Sequence, residues 1–545
     1  MLGSNPRQPD GLQLMGLVRE SQGKLEEAEA LFRQSLELRP DQPHVQVQLG
    51  RVLARAGKHD DAIAALRGAA KAQPELSEAF LVMAQVQVTT GEFASAEANF
   101  RAALRLAPNS ATALSELGAL LNKMKRPNES EPVLRNAARN ISRPAPQRAA
   151  IAHNLGVALD MQGRQDEAIS AWRDAVALDP TNLDAHHQLN ALLYRRGSDG
   201  DLLSSYDQAL VHAPQSAGVL LLQKADFLIH AERYEEARDR LVRVAAMAPD
   251  SAAPQNGLAN AYAGLCQFDR AIAAYEKALV LQPDDPSTKM NLAFVLLKVG
   301  ENKRALGLTE GVVRQMPFNQ SVLAVHEVVL RANGDALADL IADYEHHIQI
   351  FDLEPPRGFS SMEEFNRVLN AHLDVLHTDK REHIDQTLRH GTQSPPALFN
   401  DPNDVLQMLR RRIEEAVAVH IAQMPGSDGS HPLYGRRAND FAIAGSWSSR
   451  PHDCGFHTNH IHPQGWISSC YYVAVPDVVE DKTAKQGWIK FGEPSFKVML
   501  RDPIRRTIQP APGRLVLFPS YLWHGTIPFR SATARTTIAF DAVPV

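Results

Sequence analysis

Eight prolines set the frame of the N-terminal half: Pro40, Pro74, Pro108, Pro180, Pro214, Pro249, Pro283 and Pro317. The gaps between them are 34, 34, 72, 34, 35, 34 and 34 residues, so one unit inside the long gap lacks its proline. That unit ends near Ser142, with Pro144 two residues late, and counting it gives about nine units. A period of this length marks a repeat array, in which one supersecondary unit is copied and stacked. Within a unit, small and large residues alternate over two helical stretches. Gly16, Ala28, Phe32 and Pro40 set the pattern, and Gly50, Ala62, Leu66 and Pro74 repeat it. Gly118 with Leu134 keeps it, as do Gly156, Ala168, Trp172, Ala175 and Pro180, then Ala271, Tyr275, Ala278 and Pro283. Small residues let two helices approach, the large side chain fills the space between them, and proline stops the second helix. Each unit leaves an apolar face that only its neighbours cover, so the expected form is a stacked superhelix.

This unit resembles the tetratricopeptide repeat, whose first helix turns its sixth position into a concave groove. In frame, those positions hold Gln48, Glu116, Asn154, Gln188, Gln223 and Asn291, with Leu14, Val82 and Gly257 as exceptions. A primary amide donates to a peptide carbonyl and accepts from a peptide N–H through one side chain. A row of them would grip an extended chain without reading its side chains, and it resembles the asparagine ladder of the repeat-bearing O-linked sugar transferases. A merely solvated helix face offers the same residue types. The expected partner is a protein or peptide in the concave groove. The stretch 139–147 and the Gly197-Ser198-Asp199-Gly200 insertion, with Leu202 where a small residue belongs, read as bends. From Gln320 to Asp352 the periodicity continues without a closing proline, as a capping helix pair followed by His346 and His347, both expected to be solvated.

Texture changes at Phe351. Helical patterns over 362–378 and 401–422 precede extended stretches at 440–447, 466–475, 487–491, 506–509, 514–518 and 536–543. Short strands rich in Val, Ile and aromatics, broken by Gly and Pro, with helices before them, fit a double-stranded β-helix. The expected organisation is therefore a multidomain α plus β chain. Residues 1–317 form an all-α solenoid, 318–352 a capping linker and 353–545 the double-stranded β-helix with flanking helices.

Two segments of that last domain carry chemistry. One contains His457, then His460-Ile461-His462-Pro463; the other runs Phe518-Pro519 to His524 and on to Arg535 and Thr537. Histidines two apart on an extended segment share a face, and His524 from a separate strand would complete a facial metal site with open positions opposite. His457 is an alternative first ligand, and Asp453 the nearest carboxylate that would fold back. Arg535 with Thr537 on the same face would hold a carboxylate by a forked contact and a hydroxyl. Tyr472 would add a second hydroxyl, with Tyr471 turned to the opposite side, and Arg530 competes with Arg535. Arg389-His390-Gly391-Thr392-Gln393 reads as a polar loop between helices that lines the substrate mouth.

Together with Gly445-Ser446-Trp447-Ser448, these motifs resemble the 2-oxoglutarate/Fe(II) oxygenases found fused behind tetratricopeptide repeats in bacteria, from about Leu353 to the C-terminus. The resemblance implies Fe(II) at His460, His462 and His524, 2-oxoglutarate at Arg535, Thr537 and Tyr472, and hydroxylation of a protein or peptide. This chain departs from the usual pattern: His462 stands where His-x-Asp or His-x-Glu places a carboxylate. Two other readings remain open at this point. One is a non-catalytic repeat scaffold with a degenerate β-domain; the other is a three-histidine zinc or copper site, since neutral imidazoles suit those ions equally.

Composition narrows the partners. A net charge of −6 gives no basic excess for nucleic acid or an anionic membrane. No long apolar run reads as a membrane span, and the first residues lack the apolar core of a signal peptide. Cys266, Cys454 and Cys470 form no paired motif and are expected as buried, reduced thiols, in keeping with a cytoplasmic protein. Nothing in the pattern sets an oligomeric state.

Overall fold

The computed structural model describes residues 8–139, 144–198, 200–377, 387–395, 397–426, 429–496, 498 and 500–545. Residues 1–7, 140–143 of the expected seam, 199 and the expected helix end at 378 lie outside the described residues. By internal contacts the chain divides into two compact units, Met1–Ala185 and His186–Val545.

Among its described residues the first unit holds five helix pairs, from Pro9–Ser21 with Leu25–Leu38 to Ala145–Met161 with Gln165–Leu178. Its core is the small–large pattern made solid: Ala28, Phe32, Ala62, Leu66, Ala168 and Trp172 are all fully buried. Gly156 shows why the pattern is strict. A Cβ there would lie 2.5 Å from Trp172 Nε1, and that indole N–H donates to the His153 carbonyl at 3.1 Å.

The second unit opens with a truncated pair. Helix Leu183–Arg195 is followed by Ser204–His212, nine residues long. The insertion around Gly197 delays its start, and Leu203 sits at φ 65° with its N–H held by Asn190 Oδ1 at 2.5 Å. Three full pairs follow, ending with Pro286–Lys298 and Asn302–Gln315, and then Gln320–Asn333 with the short Leu337–Ile341. The helix Gln320–Asn333 is buried on almost every side, Glu327 included. Trp523 Nε1 donates to its Ala324 carbonyl at 2.9 Å, and Arg331 donates to the Gly492 and Asp502 carbonyls at 2.6 Å each. Burial pushes the Glu327 carboxyl up to about 7, against the opposing pull of Arg331.

Among the described residues nine strands follow: β1 (Gln349–Asp352), β2 (Leu388–Gln393), β3 (Phe441–His457), β4 (Ile467–Ala474), β5 (Ile489–Phe491), β6 (Arg506–Ile508), β7 (Arg514–Pro519), β8 (His524–Thr526) and β9 (Thr536–Pro544). Six form one sheet in the order β1-β7-β4-β9-β3-β2, and three form a second, β6-β5-β8. Every pairing is antiparallel, and the two sheets make the double-stranded β-helix. Helix Met362–Asp374, capped by Ser361 Oγ, backs the large sheet, where Asn366 Oδ1 accepts from the Tyr471 hydroxyl at 2.7 Å.

Several expectations change here. The polar segment 389–393 is strand β2, hydrogen-bonded to β3; the register shifts between Arg389 and Gly391, where His390 (φ 52°) stands against residues 452–455 of β3. Tyr471 and Tyr472 do point to opposite faces, but both are fully buried: Tyr471 meets the helix Met362–Asp374 at Asn366, and Tyr472 packs against the Arg535 guanidinium. His347 is buried against His431 and Tyr434, which pushes its imidazole down to about 4; His346 alone is solvated. Cys266 is exposed, while Cys454 and Cys470 are partly buried, and all three thiols are free. Among the described residues no helix is long and apolar enough to cross a membrane.

Candidate active site

The two sheets enclose a cavity of about 320 Å³. Alternate residues of single strands line it, Trp447 and Ser449 from β3 and Thr537, Ala539 and Asp541 from β9, as the two-residue period of a strand requires. His524 and Thr526 enter from β8 on the opposite side. The segment holding His460 and His462 lies outside both sheets but pairs locally with β8. The His460 N–H donates to the His524 carbonyl at 2.8 Å, the His524 N–H returns the bond at 3.0 Å, and the His462 N–H donates to the Ser520 carbonyl at 3.0 Å. Three backbone bonds therefore bring together histidines that are remote in sequence.

Each of the three rings is oriented through Nδ1. His460 Nδ1 donates to the Thr458 carbonyl at 2.8 Å, His524 Nδ1 to the Leu522 carbonyl at 3.0 Å, and His462 Nδ1 to Asp541 Oδ1 at 2.7 Å. An imidazole that donates from Nδ1 keeps its lone pair on Nε2. The potential ligand atoms of the three histidines all lie within 4.8 Å of one another. Burial, reinforced by the neighbouring rings, pushes His460 down to about 3 and His524 well below the usual imidazole range. Those two are neutral at neutral pH, the form that ligates a metal.

Arg535 is 1 % exposed and, among the described residues, ion-pairs with no carboxylate. Its Nη1 donates to Thr526 Oγ1 at 3.1 Å, its Nε has no partner, and its guanidinium carbon lies 5.0 Å from the centre of the Tyr472 ring. Ser449 Oγ, on the same cavity, is buried and unpartnered too. Thr537 is buried, and its hydroxyl makes only a long 3.4 Å contact to the Ser449 carbonyl. A buried guanidinium without a counter-charge is costly, and orphaned donors beside it fit an anionic guest with carboxylate oxygens.

The alternatives separate by position. His457 lines the cavity, its ring centre 5.8 Å from that of His460, but stands outside the converging set. Asp453 is exposed and accepts from the Ser531 N–H at 3.0 Å, away from the cavity. Arg530 is exposed. Gln393 of β2 reaches the cavity wall. Sequence reasoning overlooked Asp541, Ser449 and Thr526. Asp541 was signalled by the alternation Thr537, Ala539, Asp541, which puts an acid on the inner face of an apolar strand.

Comparison with known proteins agrees with this architecture. Residues 445–541 match the family described as Putative 2OG-Fe(II) oxygenase, and residues 21–86, 77–110, 109–181 and 252–285 match tetratricopeptide repeat families. The chain thus joins tetratricopeptide repeats to a domain matching that oxygenase family. The type IV pilus assembly protein PilF of Pseudomonas aeruginosa is 29 % identical over 153 residues, 27 % of this chain; the chain spans 59 % of that relative's length. Among solved structures, MamA from Desulfovibrio magneticus RS-1 is 24 % identical with a TM-score of 0.28, over 31 % of this chain and 93 % of that one. A tetratricopeptide repeat protein from Parabacteroides merdae is 14 % identical with a TM-score of 0.35, over 53 % of this chain and 98 % of that one.

Proposed function

We propose that residues 353–545 form a 2-oxoglutarate- and Fe(II)-dependent oxygenase that hydroxylates a cytoplasmic protein or peptide recruited by the repeats of residues 1–317, with 318–352 as the joining segment. One observation carries this reading: a single cavity holds three Nε2 atoms free to ligate and a buried guanidinium with no carboxylate partner among the described residues. The donor set fits the implied ion, because first-row divalent metals accept neutral imidazole. His460, His462 and His524 would hold it, and the bound iron would supply the redox chemistry that oxygen activation requires.

The remaining roles belong to the chain. Arg535 would take a carboxylate of 2-oxoglutarate in a forked, charge-assisted contact. Tyr472, whose ring lies against the guanidinium and whose buried hydroxyl has no partner among the described residues, would add a hydroxyl to the same carboxylate, and Thr537 and Ser449 line the same cavity as further hydroxyl partners. Phe518 packs 4.5 Å from the His524 ring centre to centre, and with Ile489 makes that wall apolar. Gln48 and Asn154 in the first unit, and Gln188, Gln223 and Asn291 in the second, are half-buried, and each would offer its amide to a peptide backbone.

The test is capture. Full-length protein loaded anaerobically with Fe(II) and 2-oxoglutarate is incubated with lysate, exposed to oxygen, and the bound polypeptides are read by mass spectrometry. Oxygen-dependent gain of 16 Da on a captured polypeptide, absent for His524→Ala, is expected. A free metabolite oxidised equally well by protein with and without its repeats would contradict recruitment by the repeats.

A further inference from the structure

Among the residues lining the cavity, Asp541 is the one acid, and it touches a proposed ligand. Its Oδ1 accepts from His462 Nδ1 at 2.7 Å and from Ser468 Oγ at 2.7 Å, and Ser468 Oγ lies 2.8 Å from Ser520 Oγ. Ser468 is also its cross-strand partner in the β4–β9 ladder. No lysine or arginine among the described residues ion-pairs with Asp541, so histidine is its one charged-type partner. Trp447 stacks on His462, ring centres 5.6 Å apart at 21°, and so restrains the plane of the ring. Asp541 then decides which edge of that plane faces inward.

The three rings are not held alike. His460 and His524 donate to peptide carbonyls, His462 to a carboxylate. A carbonyl fixes orientation and tautomer; a carboxylate also makes the ring a stronger donor at Nε2, because negative charge is shared through the N–H···O bond. A site of two histidines and a carboxylate places that charge on the metal directly. Here the third position is His462, and the charge lies one residue further out. We propose that Asp541 is a positioning residue that acts through His462, so that the His462–Asp541 pair takes the place of a directly bound carboxylate. This rests on the metal-centre reading above.

Metal uptake tests it without turnover. Full-length apo-protein is titrated anaerobically with Co(II), followed by visible absorption, and with Fe(II), followed by equilibrium dialysis, while the metal-free melting temperature of each variant reports its fold. Asp541→Asn is expected to weaken both ions by about 10–100-fold. His462→Asp alone sets a second carboxylate against Asp541, and two adjacent carboxylates favour holding a proton over releasing a ligand. Adding Asp541→Asn to His462→Asp supplies an amide donor instead, and affinity is expected to rise by about 10-fold over His462→Asp alone. The same change therefore weakens binding beside histidine and strengthens it beside aspartate. A merely structural role would cost affinity in both backgrounds, and that outcome, or unchanged affinity in Asp541→Asn, overturns the proposal. The comparison within the His462→Asp background stands even if Asp541→Asn alone fails to fold. Wild-type protein that takes up neither ion overturns the metal centre itself and this proposal with it; wild-type uptake with insensitive variants overturns only the role of Asp541.

Discussion

Arg535 separates anchoring of a co-substrate from binding of a metal. It is buried, has no carboxylate partner among the described residues and lies in the cavity with the histidines. Arg535→Ala is expected to raise the 2-oxoglutarate requirement by about 30–1000-fold, the loss of a charge-assisted pair worth roughly 2–4 kcal/mol, with Co(II) affinity nearly unchanged. Arg530→Ala, on the surface, is expected to be silent; the reverse pattern in 2-oxoglutarate titrations would move the anchor to Arg530. Among the histidines, His524→Ala is expected to abolish Co(II) absorption and His457→Ala to leave most of it, since the His457 ring stands outside the converging set. At this scale the sequence carries residue types and their alternation along a strand. The pairing of His460 with His524 depends on a backbone bridge between two remote segments, and no local pattern encodes that.

Elements carry a second set of consequences. Gly156→Ala drives a methyl into Trp172 and is expected to cost about 1–3 kcal/mol. Gly307→Ala, in the helix Asn302–Gln315 with nothing within 4 Å of the new carbon, is expected to stabilise by about 0.5–1 kcal/mol through helix propensity. Opposite shifts in melting temperature check the pair. His347, His377 and His420 are each pushed down to about 4 by burial, below the ~6.5 of an unfolded chain. Between those values the unfolded chain binds more protons, so stability is complete above about pH 6.5 and falls as pH drops toward about 4. The gap is worth about 3 kcal/mol per group at most. Denaturation of metal-free protein at pH 7.5, 6 and 5 is expected to show that loss, reduced in His420→Phe; a flat profile would mean these imidazoles protonate freely in the fold. The repeat helices were legible because period and packing say the same thing at Gly16, Phe32, Gly156 and Trp172. Strands β1, β2 and β8 were not, because their pairing is decided by the remote strands β7, β3 and β5, and β2 carries the polar run Arg389-His390-Gly391-Thr392-Gln393 with none of the apolar alternation that marks the other strands.

On the scale of the whole molecule, the chain spends more residues on repeats than on chemistry, and a repeat surface suits an extended polypeptide better than a metabolite. Replacing Gln188, Gln223 and Asn291 together by Ala, within the second unit, is expected to weaken a captured polypeptide by about 3 kcal/mol, at about 1 kcal/mol per hydrogen-bonding side chain, with Co(II) affinity unchanged. Competition binding against wild-type protein checks it, and equal affinity would return these amides to solvated helix faces. The claim on which the rest depends is that the three-histidine centre turns over 2-oxoglutarate. It is tested by mixing anaerobically purified full-length protein with Fe(II), 2-oxoglutarate and oxygen and measuring succinate. Iron-dependent succinate, lost in His524→Ala and restored at high 2-oxoglutarate in Arg535→Ala, is the predicted result. Tight metal uptake with no succinate, with or without a captured polypeptide, would contradict it.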